Sequence, residues 1–93
     1  MLTENEVKKD VRTAYDILEK FRDEGYFDIA YTDKREVPGD YFTLKDTLRR
    51  LGFVSNSATA TDDGVWDRTV PRALHAMRDF VVGIAHDKNI KLS

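Results

Sequence analysis

Apolar residues recur at intervals of three and four along two long stretches of the chain. In the first, Val7, Val11, Ala14, Ile17, Leu18 and Phe21 fall within an arc of about 100° to 120° at 100° per residue, with Tyr15 widening it, and so predict an amphipathic helix. Thr3 followed by Glu6 makes a capping box that predicts its start. Gly25, which takes a left-handed conformation without a steric penalty, predicts its end. In the second stretch Ala73, Leu74, Met77, Phe80, Val81 and Ile84 span an arc of about 120°, with His75, Asp79 and His86 on the opposite, wet face. That helix is predicted to begin around Thr69 to Pro71, where a hydroxyl cap and a first-turn proline are both favourable, and to run to His86 or Asp87.

Between them Leu44, Leu48 and Leu51 share a face, which predicts a short helix of about two turns from Thr43, with Asp46 three residues on, to a stop at Gly52. Residues 26–42 show no sustained period and carry Pro38-Gly39-Asp40 as a turn signal. This reads as an ordered aromatic connector. Tyr26, Phe27 and Tyr31 within it cover the core from one side or offer a surface to a partner, as a short extended piece or a single helical turn. Residues 54–64, VSNSATATDDG, read as a polar surface loop. The simplest architecture is a small, mainly α domain.

Composition narrows the function. The 93 residues allow one domain with a compact core. The absence of cysteine excludes a disulfide scaffold, a thiolate metal site and a cysteine nucleophile. With 15 basic and 17 acidic residues the net charge is −2, which disfavours nucleic acid as a partner. The excess is negative in residues 1–40 and positive in 41–93, a mild asymmetry expected of ordinary solvated faces. The opening MLTENEVKKDVR holds no apolar run, so synthesis in a cytoplasm without a signal peptide or membrane span is expected.

No catalytic, metal or cofactor site is expected. His75 and His86 lie eleven positions apart, about 16 Å along a helix, too far to share an ion. Asp62, Asp63 and Asp67 cluster near Trp66 without the cleft of a glycosidase pair or the terminal glutamate of a calcium loop. Neither a glycine-rich phosphate cradle nor a serine elbow is present.

Two segments carry a family likeness. LKDTLRRLGF at 44–53 and DDGVWDRTVPRALHAM at 62–77 resemble the peptidoglycan-binding domain family, a small three-helix module often attached to cell-wall hydrolases. Leu44, Leu48, Leu51, Gly52 and Phe53 occupy the places of its leucine-rich first helix, with Lys45 where glutamine is usual. Asp63, Gly64, Val65, Trp66, Ala73, Leu74 and Met77 follow its second hallmark. The chain departs from the family in having Asp67 for a glycine, Thr69 one place early and a longer loop from Gly52 to Asp63.

The resemblance implies a module over residues 42–93, preceded by an extension over 1–41 that holds the first helix and the aromatic connector. It also implies that Trp66 lies beneath the start of the last helix, as a core plug or as a sugar-stacking face, and that Phe53, Asp63, Trp66, Arg68 and Arg72 contact cell-wall glycan or stem peptide. An alternative from another class is a structural or adaptor component of a phage tail, baseplate or contractile injection assembly. There the first helix docks on a larger protein assembly, and the protein reaches the wall within a phage particle or after lysis; the apolar stripe of that helix is covered by the module's own helices, by a partner or by a second copy.

Overall fold

The computed structural model describes residues 2–28, 35–36, 38–53, 65–66 and 69–92, with side chains over 2–28, 38–53 and 71–92. Three α-helices dominate: α1 Glu4–Asp23, α2 Gly39–Arg50 and α3 Thr69–Asp87. A 3-10 turn at Tyr26–Asp28 follows α1. Two short strands, β1 Arg35–Glu36 and β2 Val65–Trp66, pair antiparallel, with Arg35 opposite Trp66 and Glu36 opposite Val65. The fold is mainly α.

Helix α1 starts where its capping box places it. The Glu6 amide donates to the Thr3 hydroxyl, and the Thr3 amide donates to the Glu6 carboxylate, both at 3.2 Å. Its buried face is Val11, Ala14, Leu18 and Phe21, and burying each large side chain contributes about 1.5 to 3 kcal/mol.

Helix α2 begins at Gly39, four residues ahead of the expected Thr43 start. Pro38 is its N-cap, in extended geometry and without a side-chain cap bond. The Pro-Gly-Asp signal is therefore a helix start. Proline fixes the backbone ahead of the first turn, and Asp40 places a negative charge near the positive end of the helix dipole. Tyr41 then joins Leu44 and Leu48 on the buried face, fully covered, so it belongs to a helix and not to the connector.

Both other helices run antiparallel to α1. On one side Lys20 donates to Asp40 at 2.7 Å and Arg50 to Asp10 at 3.3 Å. On the other, Arg78 meets Glu19 at 3.3 Å, and the C-terminal end of α3 lies beside Leu2, Val7 and Lys8. Such exposed pairs add little energy but mark the register. The core joins the α1 face to Tyr41, Leu44 and Leu48 from α2, to Ala73, Leu74, Met77, Val81 and Ala85 from α3, and to Phe27 and Ile90.

Helix α1, in the expected 1–41 part, packs on α2 and α3, which belong mostly to the expected 42–93 part of the single domain. The boundary between the two parts falls inside α2. Among the described residues, 42–93 supplies most of α2 and all of α3, and the third helix of the bundle is α1.

Helices α2 and α3 end in Schellman motifs, and α1 shares part of the pattern. After α2, Gly52 takes φ 98°, its amide donates to the Arg49 carbonyl (3.0 Å), and the Phe53 amide reaches back to Leu48 (2.9 Å). After α3, Asn89 takes φ 58° and the Ile90 amide reaches Ala85 at 2.8 Å, which folds Ile90 into the core at 7% exposure. After α1, Gly25 takes φ 84° and donates to Arg22. A Cβ added at Gly52 meets nothing within 4 Å, so its cost there is conformational and not steric. Gly52→Ala is accordingly expected to lose about 1 kcal/mol and to lower the thermal midpoint by about 4 to 8 °C in a circular-dichroism melt. An unchanged midpoint would refute the motif's role.

Candidate functional site

Buried chemistry is sparse among the described residues. Thr47 is buried and accepts a hydrogen bond from Arg50 Nη2 at 3.3 Å, and Tyr41 brings its hydroxyl into the core. The titration shifts all belong to surface contacts. The hydrogen bond from the Thr3 backbone holds the Glu6 carboxyl below its ordinary value. The hydrogen bond to Asp40 raises Lys20, and the one to Asp10 raises Arg50. No group of three metal-ligating side chains forms among the described residues, and no described helix is long and apolar enough to cross a membrane.

Polar and aromatic groups gather at the end of the bundle where α1 stops and α3 starts. The left-handed turn at Gly25 swings the chain back, so that the Tyr26 ring meets Phe21 edge-on with centroids 5.4 Å apart. One residue on, Phe27 is 6% exposed and stands edge-on to His75, at 4.9 Å and 83°. His75 is exposed, as its place on the wet face of α3 predicts, and its ring covers Phe27. Arg72, also exposed, lies three residues earlier on α3, the spacing at which helical side chains are neighbours. Trp66 is described through its backbone, paired with Arg35, and its strand ends three residues before α3 begins.

This regroups the residues singled out from the sequence. Tyr26 and Phe27, assigned to a partner surface, share an end with Arg72, assigned to a ligand. Phe27 is a core residue, with little of its ring left for a partner, whereas Tyr26 is half-buried. Phe53 lies elsewhere. It is half-buried against Phe80, with ring centroids 5.1 Å apart, and Phe80 is eight residues beyond Arg72, about 12 Å along the helix axis. One small ligand does not touch both. Tyr31, Asp63, Arg68 and the side chain of Trp66 lie outside the described residues.

The contribution of His75 was not legible from period alone, because an outward-facing position says nothing about which loop comes to rest on it. His75→Ala is expected to cost about 0.5 to 1.5 kcal/mol of stability through loss of the edge contact. His75→Phe is expected to retain most of it. Urea unfolding followed by the fluorescence of Trp66, the one tryptophan in the chain, measures both, and equal midpoints for the alanine variant and the parent would contradict the contact. In comparisons with known protein families, curated proteins and solved structures, the chain matches none.

Proposed function

We propose that this chain is a non-catalytic binding module of the peptidoglycan-binding kind, and that its ligand face is the end of the bundle where the Tyr26–Asp28 turn meets the first turns of α3. The observation that carries the reading is the Phe27–His75 contact. It brings the Tyr26–Asp28 turn against the face of α3 that carries His75 and, three residues earlier, Arg72, so that an exposed guanidinium and an exposed imidazole stand beside the aromatic turn. A guanidinium presents a planar fork that pairs carboxylates in a bidentate manner, which suits the acidic groups of a stem peptide. Imidazole and phenol donate to and accept from sugar hydroxyls. Asp63, Trp66 and Arg68, which the resemblance adds to the set, precede α3 directly in the chain.

The Leu-Gly-aromatic segment that carries half of the resemblance is a helix stop, with Gly52 in the left-handed region, and this supports the likeness at the level of local structure. Phe53 serves the core in this reading and leaves the ligand set. The adaptor alternative assigned docking to the first helix. The apolar face of α1 is buried under α2 and α3, so an adaptor role would need another surface.

Co-sedimentation with purified cell-wall sacculi tests the proposal. The unmodified protein is expected in the pellet, and Arg72→Glu is expected to weaken retention about tenfold, the loss of one charge-assisted pair. If the unmodified protein stays in the supernatant while an established wall binder sediments, the reading is rejected.

A further inference from the structure

The opposite end of the bundle carries a second surface, about 24 Å along α3 from Arg72. A cavity of about 390 Å³ lies there between the start of α1 and the end of α3, lined by Leu2, Glu4, Val7, Lys8, Lys88 and Ile90. A shallower, largely open depression adjoins it across Ile90 and is lined in part by Val82, His86, Asn89, Lys91 and Leu92. Ile90 is the shared wall, held in place by the Schellman bond to Ala85. Leu2, Val7, Ile90 and Leu92 form an apolar strip on this surface, with Val82 at its far edge 41% exposed, and charged and polar side chains line the rest.

The charges around the strip are uncommitted. Elsewhere in the bundle Lys20, Arg22, Arg50 and Arg78 each meet a carboxylate. Lys8, Lys88 and Lys91 meet none among the described residues. Of the carboxylates nearby, Glu6 is held by the Thr3 cap, Asp87 is exposed next to Lys88 in the chain, and Glu4 is the carboxylate in the lining. Three ammonium groups without a carboxylate partner among the described residues thus border the apolar strip.

We infer that this strip docks a peptide segment of another protein in which apolar side chains alternate with carboxylates. The apolar side chains enter the cavity and the depression on either side of Ile90, and the carboxylates pair with Lys8, Lys88 and Lys91. Such a strip suits side chains inserted one at a time. A flat anionic lipid surface would instead call for protruding apolar groups and would meet Glu4. Charge complementarity of this kind sets both specificity and association rate.

The test is a titration of the isotope-labelled full chain, followed by amide chemical shifts, with an acetylated and amidated pentapeptide alternating aspartate and leucine. Shifts are expected at Val7, Lys8, Lys88, Ile90 and Leu92 and not at Arg72. The charge-reversed peptide, with lysine for aspartate, is expected to leave them unmoved. The exposed double variant K8E/K88E is expected to weaken binding about tenfold or more, and V82D to weaken it as well, with both variants keeping the parent's circular-dichroism spectrum. Silence toward the acidic peptide overturns the inference, as does an equal response to the charge-reversed one. Shifts produced only by phosphatidylglycerol vesicles would assign the strip to a lipid surface, and shifts that follow protein concentration without peptide would assign it to a second copy. Either result overturns the inference and leaves the Arg72 end unaffected.

Discussion

Val11, Ala14, Leu18 and Phe21 lie on one face of α1 and are fully buried, and both of the other helices pack on that helix. The geometry of the molecule follows from this stripe. Helices α2 and α3 each lay an apolar face against α1 and run antiparallel to it, with Lys20–Asp40 and Arg50–Asp10 marking one register and Arg78–Glu19 the other. The stability of such an amphipathic helix comes chiefly from the packing of its apolar face, which the bundle supplies.

The antiparallel arrangement has a chemical consequence. It gathers the end of α1 and the start of α3 at one pole, and the start of α1 and the end of α3 at the other. The first pole carries Tyr26 and the buried Phe27 on the turn after α1, and His75 against Phe27 with Arg72 three residues earlier on α3. The second carries an apolar strip edged by lysines. Helix terminators shape both poles: Gly25 turns the chain so that Phe27 reaches α3, and Asn89 turns it so that Ile90 enters the core.

What was legible in the sequence was local. The Thr3–Glu6 capping box, the glycine stops at 25 and 52 and the period of α3 each depend on residues within a turn or two, and each appears in the structure where it was placed. The start of α2 was not legible, because Pro-Gly-Asp suits a turn as well as a first helical turn, and only the burial of Tyr41 settles which one forms. Ile90 escaped notice because it stands alone after the last period, although the asparagine before it is the one residue besides glycine that commonly ends a helix in a left-handed turn. The separation of Phe53 from Arg72 depends on which part of α3 the end of α2 meets, a tertiary fact that no spacing encodes. The place of α1 was open for the same reason: a resemblance over about residues 42–86 has no bearing on whether the apolar face of that helix packs on α2 and α3 or on a partner.

The central claim is that α1 is part of the core and not an appendage to it. Native-state hydrogen exchange measures this directly, because cooperative units open with their own free energies. The slowest amides of α1, around Val11 to Phe21, are expected to exchange with the same free energy and the same denaturant dependence as those of α2 and α3. Exchange of α1 through a low-energy opening that leaves α2 and α3 protected would contradict the account.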